Sequence, residues 1–291
     1  MDATATLQAS HTRQAWLRHW PLLLGLVALS ISTIATLGQQ VWSREEGAHG
    51  PIILATGAWL LWRQASSFVE NKRPSSIWLT LAVVIPALAL FIFGRAFDFI
   101  SLETAGVFAV GLAMLYSVFG FAALWKNWFP LFYLGFLIPP PGWLVDQMTA
   151  PLKQFVSRVS TDAMSAVGLP IAREGVTIRV AQYQLLVEDA CSGMNSLIGL
   201  TAISLFYIYL LRGSSIRYAG ILTLFVIPIA IVGNIGRIIV LILLTYFFGD
   251  EVAQGFAHQA AGIFLFTVDL LLVFLVDSIL ARTLPKSLRP A

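Results

Sequence analysis

Eight stretches of this 291-residue sequence are apolar over nearly the length that a bilayer demands, and little chain is left for anything else. A spanning helix needs about 20 mainly apolar residues. The candidates are roughly 20–38, 50–63, 77–94, 102–124, 128–142, 194–211, 217–247 and 259–281. The second and fifth are short, and the fifth runs into Pro139-Pro140-Pro141-Gly142, which stops a helix. With 58% hydrophobic and 11% charged residues, a soluble domain of this size is excluded. The expectation is an all-α polytopic membrane protein of about eight transmembrane helices. It is read as a single integral membrane domain over 1–291, without internal repeats.

Charge supplies an orientation. The net charge of +3 is spread in short clusters between apolar runs, which argues against a nucleic-acid partner. Arg13 and Arg18 precede the first apolar run, and no convincing cleavage site follows it, so a retained signal-anchor helix is expected. With residues 1–19 as a cytoplasmic tail, the inner loops receive Arg63, Lys72 and Arg73, then Lys126, then Arg212 and Arg217. Residues 282–291, with Arg282, Lys286 and Arg289, form a second cytoplasmic tail. The outer loops carry Glu45 and Glu46, Asp98 and Glu103, Asp250 and Glu251. That is the positive-inside pattern.

The one long loop, 143–193, falls on the outer face. Leu144, Met148, Leu152, Phe155, Val159, Ala163 and Val167 recur at helical steps, with Lys153, Arg158 and Asp162 elsewhere on the wheel. This predicts an amphipathic helix lying on the outer membrane face, with a bend at Pro151. Val176, Ile178 and Val180, then Tyr183, Leu185 and Val187, alternate with mostly polar residues on either side of Ala181-Gln182. They predict a short β-hairpin that leads into Cys191.

Cys191 is the only cysteine, so no internal disulfide can form, and no Cys/His spacing suggests a metal or cofactor site. A lone cysteine in a membrane protein is commonly a small buried hydrophobe. Here it lies at the start of the sixth segment, with Asp189 or Ser192 as candidate N-cap and Gly193 leaving room for a substrate backbone. A helix N-terminus and a nearby cation lower a thiol pKa, whereas Glu188 and Asp189 act against this. Topology removes His11 and His19 from its side and leaves His49 and His258. Arg237 sits inside the seventh segment, in Gly233-Asn234-Ile235-Gly236-Arg237. An arginine at depth costs roughly 2.5–3.5 kcal/mol on insertion scales and is usually functional or paired. Asp269, at similar depth in the eighth segment, is the competing partner for simple neutralisation. A cysteine, a histidine and an arginine on one face together supply a nucleophile, a base and an oxyanion donor.

These pieces, in this order, resemble the exosortase/archaeosortase family of membrane-embedded cysteine transpeptidases. Val187-Glu188-Asp189-Ala190-Cys191-Ser192-Gly193 is similar to its nucleophile box and Asn234-Ile235-Gly236-Arg237 to its Asn-x-x-Arg box. His258 corresponds to the third catalytic position of the bacterial branch, and His49-Gly50 and Glu174-Gly175 look similar too. The likeness covers about 45–280. One departure is that some members carry a fused C-terminal domain, whereas this sequence ends soon after the eighth segment. The resemblance implies thioester formation at Cys191, transition-state stabilisation by Arg237 and acid/base work by His258. Ser192, Gly193, Asn234 and His49 would support them. It implies membrane-anchored protein substrates whose C-terminal tails bear a Pro-Glu-Pro motif, a bacterial inner-membrane location, an active site on the outer face and a link to exopolysaccharide export. The rival readings are a non-enzymatic export subunit and a membrane acyltransferase using the same thiol. A paired-aspartate protease is disfavoured because Asp269 and Asp277 share one segment.

Overall fold

A computed structural model describes residues 20, 23–44, 47–186, 193–212, 216–249 and 256–283. The elements are α1 (Leu23–Trp42, its last turn, Gly38–Trp42, π-helical), α2 (Gly50–Arg63), α3 (Ala65–Glu70), α4 (Ile77–Ala96) and α5 (Ile100–Phe119). Next come α6 (Phe121–Lys126), α7 (Trp128–Leu134, followed by a 3-10 turn), α8 (Gly142–Ala166), and strands β1 (Ile171–Glu174), β2 (Thr177–Val180) and β3 (Tyr183–Leu186). Three long helices complete the order: α9 (Gly193–Arg212), α10 (Ile216–Phe248) and α11 (Phe256–Thr283).

Four described helices are long and apolar enough to cross a membrane: Leu23–Trp42, Ile77–Ala96, Ile100–Phe119 and Gly220–Phe248. A fifth is added if Trp128–Leu137 and Gly142–Ala166 form one broken span. This makes the chain a membrane protein, with four or five of the eight expected spans supported among the described residues. Local features set the helix lengths. The 14 residues of α2 reach only about 21 Å at a rise of 1.5 Å per residue. The fourth stretch ends at Gly120, whose φ of 79° breaks the helix. The fifth is a seven-residue helix and one 3-10 turn.

The chain divides into two compact units, residues 1–43 with 54–139, and residues 44–53 with 140–291. In the first, α4 and α5 form a tight antiparallel hairpin. A Cβ at Gly106 would lie 2.7 Å from the Ala87 carbonyl oxygen, so the two backbones touch there. Glu103 of α5 is buried, accepts a hydrogen bond from Thr33 Oγ1 at 2.8 Å and pairs with Arg95 Nη1 at 3.1 Å.

The second unit holds the sequence-predicted active residues. Its hairpin is a three-stranded antiparallel sheet in the order β1-β2-β3. The added strand, Ile171–Glu174, shows little hydrophobic alternation and is mostly exposed, so its sequence carries no strand pattern. The register pairs Glu174 with Thr177 and Val180 with Tyr183, leaving two-residue loops at 175–176 and 181–182. Gly175 (φ 65°) and Ala181 (φ 52°) take the positive φ that such loops require. Ile178, Val180 and Leu185 face inward onto Val156 of α8 and Ile238, Leu241 and Ile242 of α10.

Helix α8 is continuous through Pro151. Its second half presses Val156, Ser157, Ser160 and Thr161 into the unit, while Trp143, Leu144, Met148 and Phe155 are exposed. The apolar stripe read from the sequence is therefore the outward face of the first half, as an interfacial helix requires. The protein-facing side of the second half is lined by small hydroxyl residues, which allow close approach to α10.

Candidate active site

Three long helices build the site, and three rungs set their register. On the first rung, the Asp277 carboxylate of α11 accepts from Tyr207 of α9 (3.0 Å) and from Tyr218 of α10 (2.6 Å). On the second, the Asp269 carboxylate of α11 lies directly on Gly233 of α10, its Cγ 2.5 Å from where a Cβ would stand. On the third, the Arg237 guanidinium of α10 lies over Gly262 of α11, with Nη2 3.2 Å and Cζ 3.4 Å from a Cβ placed there. Helices α10 and α11 are thus antiparallel, and each charged side chain crosses to a glycine that leaves room for it.

The first rung also fixes the level of α9. From Tyr207 back to Gly193 is about 14 residues, or ~21 Å along a helix. The same rise from Tyr218 up α10, and from Asp277 back along α11, reaches Val232 and Ile263. By this count the start of α9 lies toward the Arg237 half of the bundle and away from the Asp277 end, about five residues short of Arg237 along α10.

Arg237 and Asn234 are 6% and 5% exposed, one turn apart on α10. Ser160 Oγ of α8 lies 3.5 Å from the Ile235 carbonyl oxygen between them, and the sheet covers the next turn through Ile238, Leu241 and Ile242. Helix α10 runs about 11 residues past Arg237, so the guanidinium is recessed ~16 Å from that end. His258 lies in α11 one helical turn before Gly262, which puts its backbone next to the Arg237 rung on the side away from Asp269. Cys191 and Ser192 lie outside the described residues, immediately before Gly193, as do Glu188 and Asp189. Asp269 is buried two turns along α11 from Gly262, so the guanidinium and the carboxylate occupy different rungs.

His49 belongs to the same unit but to another level. Its ring packs on α9, with Cγ 2.8 Å and Nδ1 2.9 Å from a Cβ placed at Gly199, about 9 Å along α9 from Gly193. Burial pushes its pKa below the ordinary 6.5, so the imidazole is neutral at physiological pH. It is a neighbour of the helix that follows the nucleophile box, beside its second turn.

Sequence reasoning missed Gly199 and Gly262. The available signal was glycine inside a long helix, which costs about 1 kcal/mol relative to alanine and usually marks a close approach. Among the described residues, no three His, Cys, Asp or Glu side chains gather closely enough to hold a metal ion. What the arrangement offers is positive potential. Arg237 is buried in α10 beside turns that α8 and the sheet cover, and the N-terminal end of α9 belongs to the same unit. An anion developing there is stabilised more than it would be in water.

No curated protein and no solved structure matches the chain. Residues 41–275, most of its length, match the family described as transmembrane exosortase (Exosortase_EpsH). That span takes in the start of α9, Arg237 on its glycine and the turn of α11 that carries His258, and the chain belongs to the transmembrane exosortase family.

Proposed function

We propose that the protein is a membrane cysteine peptidase of the transpeptidase type, which cleaves and sorts proteins bearing C-terminal Pro-Glu-Pro-type tails. The observation that supports this reading is the buried Arg237, whose guanidinium lies over Gly262, one helical turn from His258 in α11 and in the same unit as the start of α9. On this reading a nucleophile, a cation and an acid/base act on one carbonyl group.

The chemistry follows from those roles. The Cys191 thiolate attacks the scissile carbonyl carbon, and the oxyanion that forms accepts hydrogen bonds from Arg237. Collapse breaks the C–N bond and leaves a thioester on Cys191. His258, carrying the proton taken from the thiol, gives it to the departing amine. An acceptor amine or water then attacks the thioester, and the thiolate leaves. Asn234, one turn from Arg237, holds the face of α10 that the substrate meets. Ser192 and Gly193, next to Cys191 in the sequence, leave room for the substrate backbone, and His49 supports α9 at Gly199.

The positive-inside pattern supports a bacterial inner-membrane protein with both termini cytoplasmic and its site toward the outer face. A link to exopolysaccharide export follows from the family resemblance. The test is intact-mass analysis of a co-expressed substrate tail with the wild type and with Cys191→Ala. Cleavage by the wild type alone supports the reading and gives the cleaved bond and the acceptor together. Equal processing by Cys191→Ala overturns it in favour of a non-enzymatic export subunit.

A further inference from the structure

The strand that leads into the nucleophile box has one edge that the sheet does not use. Strand order is β1-β2-β3, so β2 is central and, among the described residues, nothing pairs with the outer edge of β3. Register says which groups point there. The two-residue loops make Glu174↔Thr177 and Val180↔Tyr183 the closing pairs, each exchanging both backbone bonds. Bonded pairs alternate, so Ile178↔Leu185 is the next bonded pair of β2 and β3. The N–H and C=O of Gln184 and of Leu186 therefore point away from β2.

The two edges of this sheet are not alike. β1 carries Arg173 and Glu174, charges of the kind that discourage a further strand. β3 reads Tyr-Gln-Leu-Leu, without charge, proline or bulge. The β3 edge is also held firmly, because Leu185 packs with Ile178 and Val180 on Ile238, Leu241 and Ile242, the turns of α10 that follow Arg237. Its last residue, Leu186, is five residues before Cys191 in the chain. A rigid, neutral, unpaired edge that is continuous with the catalytic segment fits one kind of occupant, an extended polypeptide.

We infer that β3 receives the substrate tail as a fourth strand, through the outward backbone groups of Gln184 and Leu186. This rests on the peptidase reading above and adds how the tail is held. Main-chain hydrogen bonds tolerate varied side chains, so such an edge accepts tails of different sequence. It also constrains proline. A residue without an N–H fits an added strand only where that N–H would point away from β3. In a Pro-Glu-Pro segment both prolines fall on that outward parity, and the central residue turns its N–H and C=O toward β3.

The test uses the single cysteine of the sequence. In a Cys191→Ala background, Gln184→Cys is the only thiol. Synthetic tail peptides containing Pro-Glu-Pro, each with one cysteine at successive positions and activated as a mixed disulfide, are offered to this full-length variant in detergent. Strand addition expects cross-linking at every second peptide position, at least about tenfold above the positions between. Cross-linking that is absent or without this period overturns the inference.

A kinetic arm uses the enzyme with Cys191 intact. Gln184→Pro removes an outward N–H at the β3 edge, and Arg173→Pro removes the equivalent outward N–H at the β1 edge. KM for the tail should rise about tenfold in the first and stay at the wild-type value in the second. Equal KM values in the two overturn the inference. If Gln184→Pro does not fold, the cross-linking period decides alone. If the wild type cleaves no tail, the peptidase reading fails, and the cross-linking still reports whether the edge takes a peptide.

Discussion

Gly262 offers the sharpest perturbation of the site, because it touches the arginine without being part of the chemistry. A Cβ at this position would stand 3.2 Å from Arg237 Nη2, 3.4 Å from Cζ and 3.7 Å from Nη1. Gly262→Ala is thus a tight contact with the far end of a flexible side chain, relieved by a shift of a few tenths of an ångström. Gly262→Val adds methyl groups about 1.5 Å further out and moves the guanidinium by ~1 Å or more. A misplacement of 1 Å in a positioned catalytic group costs about 100-fold, and loss of an oxyanion donor costs about 100- to 1,000-fold. The expectation is a fall in kcat of roughly three- to tenfold for alanine and about 100-fold for valine, the latter close to Arg237→Gln. Helix propensity runs the other way, since both residues are better than glycine in a helix, by up to about 1 kcal/mol for alanine. Abundance in the membrane should therefore hold while processing falls. The assay is the time course of tail conversion by intact mass, normalised to folded enzyme. Wild-type kcat in Gly262→Val, alongside an inactive Arg237→Gln, would refute the role given to this rung. Loss of abundance in parallel with activity in Gly262→Ala would mean that the glycine serves helix packing alone.

Other perturbations separate chemistry from scaffold. Tyr218→Phe removes the 2.6 Å hydrogen bond to buried Asp277 and should lower thermal stability by about 1.5–3 kcal/mol, with kcat per folded molecule unchanged. A melting curve in detergent reads the first and the tail assay the second. Arg95→Ala leaves Glu103, 2% exposed, with Thr33 as its remaining hydrogen-bond donor in the described first unit. A loss of about 1–3 kcal/mol is expected, and an unchanged melting temperature would show the pair to be idle. For His49 the sign is fixed by burial. The folded protein holds it neutral, while the unfolded chain takes up a proton near the ordinary 6.5. Stability is complete above that pH and declines as pH falls below it toward the lowered folded-state value. His49→Gln should show a smaller loss between pH 8 and pH 5.5 than the wild type, and equal losses would contradict the assignment. His258→Ala should lower tail processing more than His49→Ala does, and the reverse order would reassign the acid/base.

The sequence made the helical membrane architecture legible through apolar runs, and both charge-bearing helices of the site were found in place. Arg237 and Asp269 drew attention because ionised groups at depth are expensive. What stayed hidden depends on contacts between distant segments. Nothing in Gly262 or Gly233 alone announces that a guanidinium and a carboxylate will lie on them, because that requires the register of α10 against α11. Apolar length also misplaced helix ends, since a run such as 102–124 cannot show that Gly120 will turn to a positive φ. β1 escaped notice because Ile171–Glu174 gains its place from pairing with β2 and not from its own pattern.

Unequal helix lengths explain why Arg237 is recessed from the end of α10. α10 has 33 residues and α9 has 20, so from their shared Asp277 rung α10 continues well beyond the point where α9 begins. A chain built of equal hairpins would bring the nucleophile box to the same surface as the loop after α10, open to water. Here the extra length of α10 carries α8 and the sheet instead, through Ser160, Val156, Ile178 and Leu185. In the proposed mechanism, a buried arginine beside this wall makes each hydrogen bond to a developing oxyanion count for more. The same wall places the open edge of β3 along the chain that leads to Cys191. Replacing Leu241 and Ile242 of α10 by alanine would loosen the sheet and remove nothing that touches the reacting atoms. It would still expose the site to water, and hydrolysis of the thioester should then gain on transfer to an amine. The product mass distinguishes the two outcomes, and an unchanged ratio of hydrolysis to transfer would argue that the wall does not control water.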